Sequence, residues 1–276
     1  MPTGDLSRIR TNIGALTALD ALNKVNTSLS IRTLRLATGK RINSAADDPS
    51  GLTLGNTLDV RARKLAQALQ NIGDASNVLA VAESGLNNIN DILSTMSEKI
   101  IQAASDTQGV SERAAIFAEL NNLGEEIDSI TQQTQFNGVM LLTSSVLTFQ
   151  VAPDGVDYNV FSMTGSFTSA ALGISALTVA SQALASTSLG SVSMAIASVK
   201  TTLQQLGALL ERFNIKSDNL SAARLNQQAA ASRIMDADLA AEQLEASKLE
   251  ILRQTSTAQL AAANTQAASL LTLFRQ

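Results

Sequence analysis

Cysteine, histidine and tryptophan are absent from this sequence, tyrosine occurs once and proline three times. Without cysteine there are no disulfides, thiolate metal sites or cysteine nucleophiles. Without histidine there is no imidazole for acid–base work, no serine–histidine dyad, and no ligand set for nearly all zinc enzymes. Only 3% of the 276 residues are aromatic although 45% are hydrophobic, so the apolar content is mostly Ala, Leu, Ile and Val. That mixture suits long packed helices. A net charge of −4 and a pI near 4.9 argue against a general nucleic-acid binder.

Long apolar runs are missing as well. The longest uncharged stretch, Tyr158 to Val199, is rich in Ser, Thr and Gly and is not expected to span a membrane. Met1-Pro2-Thr3-Gly4-Asp5 shows no basic start before an apolar block, so no cleaved secretory signal is expected. The chain is expected to be soluble, or to leave solution only by joining copies of itself.

What is present is helical periodicity. Leu58, Leu65, Ile72, Leu79, Leu86, Leu93 and Ile100 recur every seventh residue, and three places after each stand Arg61, Ala68, Ala75, Ala82, Ile89, Met96 and Ala103. This a/d seam predicts a helix from about Pro49 to Ala104, with Asp48 as N-cap and Pro49 as first helical residue. Ile116, Leu120, Leu123, Ile127 and Ile130 predict a second helix, and the 3/4 rhythm from Leu189 to Phe213 predicts a third starting near Ser186. Three such seams satisfy one another in a long helical bundle or coiled coil, so the fold is expected to be mainly α.

Between the second and third helices the period becomes two. Leu147, Phe149 and Val151, then Val156, Tyr158 and Val160, flank Pro153-Asp154-Gly155 and predict a small β-hairpin near 146–161. The Ser/Thr/Gly-rich stretch that follows, 162–185, reads as a short exposed loop. The hydroxyls from Ser162 to Ser193 are candidate acceptors of O-linked sugars, and a plain polar loop explains them equally well.

Both ends carry stripes of another character. Leu6, Ile9, Ile13, Leu16, Leu19, Leu22, Val25 and Leu29 form one, and Leu249, Leu252, Leu260, Ala263, Ala267, Leu270 and Phe274 the other, with Leu271 beside it. Gln254 to Phe274 holds no charge, unlike an ordinary surface helix. Burying a branched aliphatic contributes about 2 kcal/mol, while ordering every residue costs roughly 1.5 kcal/mol, so a lone pair of end helices has too little to bury. The ends are therefore expected to fold on self-association. Residues 1–41 hold seven basic and two acidic residues, a net of +5, which leaves −9 for the rest and lets copies attract in a fixed stagger; a plain solvated basic face is the competing explanation.

Polar clusters have simpler readings than chemistry. Capping and turn formation account for Asp47 and Asp48 better than a metal pair, and a helix start or bend after Met235 accounts for Asp236 and Asp238. Glu125, Glu126 and Asp128 flank Ile127 on a helix and read as its solvated face. Gly39 and Gly51 lack a phosphate-loop context. No enzyme, cofactor or metal site is expected.

Several segments carry a family resemblance. Leu36-Ala37-Thr38-Gly39-Lys40-Arg41-Ile42-Asn43-Ser44-Ala45-Ala46-Asp47-Asp48-Pro49-Ser50-Gly51 resembles the bacterial flagellin signature L-(S/T)-(S/T)-G-x-R-I-N-S-A-x-D-D-x-x-G. Gln133-Thr134-Gln135-Phe136-Asn137-Gly138 resembles the segment closing the second helix in flagellins, and Ser232-Arg233-Ile234-Met235-Asp236-Ala237-Asp238 resembles their S-R-I-x-D-A-D. The ending, Ala261 to Arg275, is similar too, so the resemblance covers nearly the whole chain in the family's order.

The resemblance implies a filament subunit with paired termini: residues 1–43 and 234–276 in an inner tube domain, 44–233 in a surrounding bundle, and no large outer domains. It implies self-assembly into the extracellular flagellar filament for swimming motility. Implied partners are the flagellar type III export apparatus, a secretion chaperone on the C-terminal helix, the filament cap and hook-associated proteins. The related alternative is a hook–filament junction protein. Flagellins sensed by Toll-like receptor 5 carry a stretch like L-Q-R-V-R-E-L. Here Leu93-Ser94-Thr95-Met96-Ser97-Glu98-Lys99 replaces both arginines and the closing leucine, so weak or absent receptor recognition is expected.

Overall fold

In a computed structural model of the chain, residues 11–144, 146–152, 158–162 and 166–273 are described, the side chains of 158–162 and 266–273 excepted. Five helices and two small hairpins follow one another: α1 (Ile13–Thr38), α2 (Pro49–Ala103), α3 (Val110–Gln133), β1 (Gln135–Phe136), β2 (Val139–Met140), β3 (Val146–Gln150), β4 (Tyr158–Ser162), α4 (Gln182–Met235) and α5 (Leu239–Leu273). They divide into two compact units, one of residues up to Val60 and from Asn226 onward, the other Arg61–Leu225. The division falls within α2 and α4, some way inside the boundaries that the motifs suggest.

The second unit is built on the heptad. Leu65, Ile72, Leu79, Leu86, Leu93 and Ile100 are buried, and so are Ala68, Ala75, Ala82, Ile89, Met96 and Ala103. The small Ala side chains leave room for neighbours to approach closely. Ile116, Leu120 and Ile127 of α3 and Val192, Val199, Leu206 and Phe213 of α4 complete one apolar core with them. The third helix starts at Gln182, one turn before Ser186.

The hairpin of β3 and β4 is antiparallel, pairing Val146 with Ser162 and Gln150 with Tyr158. The turn expected at Pro153-Asp154-Gly155 lies outside the described residues. Val151 is fully buried, and Phe149 meets Phe213 edge-to-face with centroids 6.1 Å apart, so the hairpin is pinned to α4. A second hairpin joins β1 to β2 through Asn137-Gly138, whose φ angles are 49° and 79°. Asn-Gly is the preferred pair for such a two-residue turn, because both positions need left-handed backbone.

The segment expected as an exposed loop does not behave as one. Phe167, Ile174, Leu177 and Val179 are buried in the core of the second unit. Hydrogen bonds to α3 and α4 explain how a polar segment stays there. Thr131 Oγ1 donates to Phe167 O at 3.0 Å, and Asp128 accepts from both Ser169 N and Ser169 Oγ at 2.7 Å. Ser188 Oγ donates to Thr178 O at 2.8 Å and accepts from Thr178 N. Asp128 is thus a tether for the segment and not merely part of a solvated face.

Phe167→Ala is expected to destabilise the second unit by about 3–5 kcal/mol, like a large-to-small change in any core. Chemical denaturation followed by circular dichroism measures this, with Leu93→Ala as the reference core change. A loss below ~0.5 kcal/mol would return the segment to the solvent.

Candidate functional site

The first unit holds the terminal helices. α1 starts at Asn12, whose Oδ1 accepts from Ala15 N at 3.0 Å. It ends at Gly39 (φ 69°), whose N–H reaches Arg35 O, a left-handed cap that glycine adopts without steric cost. α5 begins after Asp238, which accepts from Ala240 N and Ala241 N. The two helices run antiparallel: Asn12 Nδ2 donates to Ala263 O at 2.9 Å, and Arg32 bonds Glu242 at the other end.

Glu242, 7% exposed, is the one buried charged residue among the described residues. Arg32 Nη1 lies 3.0 and 2.8 Å from its two oxygens, and Arg35 Nη1 lies 3.3 Å from one of them. Burial opposes ionisation of Glu242, but the hydrogen bonds and charges of Arg32 and then Arg35 outweigh it, and its carboxyl is held below the usual range.

Around the caps, the family-motif residues form a joint. Arg41 N donates to Met235 O at 2.7 Å, Ala237 N to Gly39 O at 2.9 Å, and the Arg41 guanidinium to Ile234 O at 2.7 Å. Lys40 and Asp236 pair as an isolated bridge. Ile42, 3% exposed, plugs the joint, and a side chain on Gly51 would collide with it and with Asp48. Asp47 accepts from the N–H groups of Ser44 and Asn43 and from the Ser44 hydroxyl, which lowers its pKa in that order. Asp48 caps α2 through Gly51 N, Ser50 Oγ and Ser50 N, with its pKa also lowered. Asn43 Nδ2 donates to Lys40 O. Arg233 stands exposed in the last turn of α4, Ile234 is half-buried, and Asp236 and Asp238 are exposed. Gln135, Phe136, Asn137 and Gly138 form the exposed Asn-Gly hairpin, in the other unit.

What α1 lacks is a core: none of its residues is buried. Ile13, Leu16 (55% exposed), Leu19, Ile31 and Leu34 face outward, while Leu22 is half-buried. On α5, Leu239, Leu244, Ile251 (64%) and Leu252 are exposed, and Leu249 and Leu260 half-buried. Leu6, Ile9 and Phe274 lie outside the described residues; Leu270 and Leu271 are helical, with side chains not described. The structure therefore brings the two stripes together and leaves much of both uncovered. Ile31, Leu34, Leu244 and Ile251 widen this surface beyond the residues singled out from periodicity. The signal for the Arg32–Glu242–Arg35 cluster was the 32/35 spacing, which puts both arginines on one helical face.

Elsewhere the described residues offer little chemistry. An apolar cleft of about 310 Å³ in the second unit, lined by residues such as Val110, Phe117 and Val179, contains Arg113 as its one titratable group. Among the described residues no group of three or more acidic side chains could hold a metal ion, and no helix is long and apolar enough to cross a membrane. In the stretch compared with the receptor-binding sequence, Ser94 and Thr95 are exposed, bonded to the α2 carbonyls of Asn90 and Asp91. Ser97 is half-buried, and Lys99 Nζ pairs with Glu119 at 2.7 Å.

Two family models match the sequence: the bacterial flagellin N-terminal helical region over residues 9–146 and the C-terminal helical region over 189–274. The flagellar filament 33 kDa core protein of Treponema phagedenis is 32% identical, covering 97% of this chain and 99% of its own. A flagellin of Halalkalibacterium halodurans is 34% identical over 87% of this chain and 90% of its own. Among solved structures, a putative flagellar hook-associated protein from Vibrio parahaemolyticus shares the fold, with a TM-score of 0.58 at 16% identity, covering 69% of this chain and all of the other.

The lowered carboxyls set a pH dependence. Each has a folded pKa below its unfolded one, so its stabilisation is complete above the ordinary carboxylate range and lost as pH falls through the folded value. Thermal unfolding of the terminal helices in the assembled protein is expected to be flat from pH 7 to about 5 and to weaken below about 4. Glu242→Gln should blunt that slope. A midpoint unchanged between about pH 5 and 3 would contradict it.

Proposed function

Because this chain belongs to the bacterial flagellins, structural subunits of the flagellar filament and not enzymes, we propose that the open apolar faces of α1 and α5 are where its copies join in that filament. One observation carries the reading: α1 has no buried residue although it bears Ile13, Leu16, Leu19, Ile31 and Leu34. Apolar surface of that extent, left in water, forgoes the main favourable term in folding. Neighbouring copies supply the missing cover, and the two helices complete their folding as they receive it. Leu6, Ile9, Leu270, Leu271 and Phe274 extend the same two stripes in sequence.

On this reading residues 1–43 and 234–276 furnish the tube of the filament and 44–233 the bundle around it. The same stripes must be shielded before assembly, which supports export in unfolded form through the flagellar type III apparatus, with a chaperone on α5. Subunits then add outside the cell beneath a cap, beyond the hook-associated proteins. The lost arginines at Thr95 and Ser97, and the engagement of Lys99 by Glu119, support weak or absent recognition by Toll-like receptor 5. A cell reporter responding as strongly as to an arginine-bearing flagellin would reject that last point.

The interface is tested by Leu16→Asp, a substitution at an exposed position. In the full-length monomer, unfolding of the second unit's core should shift by less than about 0.5 kcal/mol, while growth of long filaments from seeds should fall at least about tenfold. Growth at the unmodified rate would reject the interface. Growth confined to a short zone, even for the unmodified chain, would favour the junction-protein alternative.

A further inference from the structure

The apolar contacts between α1 and α5 are poorly suited to fix their own alignment. Ile13, Leu16, Leu19, Leu22, Val25 and Leu29 follow one another at three- or four-residue steps, and none of them is buried. On α5 the buried or half-buried positions between Glu242 and Ala263 include Ala246, Leu249, Ser256 and Leu260, again at helical three-, four- or seven-residue steps. Sliding one helix past the other by a turn would exchange one such contact for a nearly equal one. The Asn12–Ala263 bond discriminates little, because its acceptor is a helix carbonyl and such carbonyls recur along α5.

Glu242 is different: it is charged, buried, and reached by both Arg32 and Arg35 in one alignment. Arg35 Nε is itself buried without a hydrogen-bond partner, a cost that a device built for stability alone would avoid. A lone buried polar group in an otherwise interchangeable apolar seam is the best-attested way to specify register. We propose that Glu242, clasped by Arg32 and Arg35, is the register-setting residue of the terminal helix pair. A slip by one turn in either direction would part its carboxylate from at least one of the two guanidiniums and leave that charge unpaired, so the stagger that engages both is the one that enters the growing polymer. This inference rests on the terminal helices being the assembly surface.

The absence of cysteine makes a direct test possible. A Cβ at Gly14 would lie 4.0 Å from that of Ala263, within the span of a disulfide. The chain carrying Gly14→Cys and Ala263→Cys is assembled without seeds by salting-out, oxidised, and resolved by non-reducing electrophoresis, in which intrachain and interchain bonds separate. Parallel chains place the second cysteine at Ser256, Gln259 or Ala267, each off register. With Glu242 intact, the 14–263 intrachain bond should dominate. In Glu242→Met it should fall, and off-register bonds should rise about tenfold or more.

Because Glu242→Met leaves two arginines unpaired and can impair folding, the triple change Arg32→Met, Arg35→Met, Glu242→Met is the second arm. It removes the stranded charges, and should assemble readily yet out of register. An unchanged 14–263 pattern in either variant overturns the proposal. So does a loss of that bond with no off-register product, which would mean melting, and so does failure of the triple variant to assemble, which would assign the cluster to stability. If the unsubstituted cysteine chain itself does not polymerise, the assembly reading fails instead.

Discussion

A helix satisfies its own backbone hydrogen bonds but must find a neighbour for every apolar stripe it presents. A pair of helices covers only the side that each turns to the other. In the second unit the seam of α2 meets α3, α4, a hairpin and a returning segment, and twelve of its fourteen seam positions are buried as a result, Leu58 and Arg61 being the exceptions. In the first unit α1 and α5 have mainly each other, and α1 buries nothing completely. This shortage of cover links the sequence to polymerisation: the residues that cannot be satisfied within one chain are the ones that make many chains adhere.

The motif residues between the helices serve this arrangement without any reaction chemistry. Gly39 closes α1, Asp48 opens α2 and Asp238 opens α5, while Arg41 and the backbone of Gly39 and Met235 tie the two connecting strands together. Asp47, Asp48 and Asp238 answer backbone N–H groups that a helix end or turn leaves open. The donors around Asp47 and Asp48 lower the pKa of both, so their protonation works against the folded state.

The sequence announced its long-range periodicities and concealed its tertiary hydrogen bonds. The α2 heptad, the break after Met235 and the β3–β4 pairing were all legible, because period and cap chemistry are local. The 166–181 segment was misread from its polarity. Its four buried apolar residues are too sparse to show a period, and the bonds that hold it run to Asp128 and Thr131 of α3, some forty residues earlier, and to Ser188 of α4. The Asn137-Gly138 hairpin carried a readable signal that the family motif overshadowed. The shared face of Arg32 and Arg35 was legible in their spacing, but their partner Glu242 was hidden some two hundred residues away.

Amide hydrogen exchange, compared between dilute monomer and assembled polymer, measures the shortage of cover most directly. Monomer amides of α1 and α5 should exchange at close to unprotected rates, with local opening near ~0 kcal/mol, while those along α2, α3 and α4 within Arg61–Leu225 stay strongly protected; in the polymer both sets should be protected. Terminal helices as well protected in the dilute monomer as the heptad core would contradict the dependence of their folding on neighbouring copies.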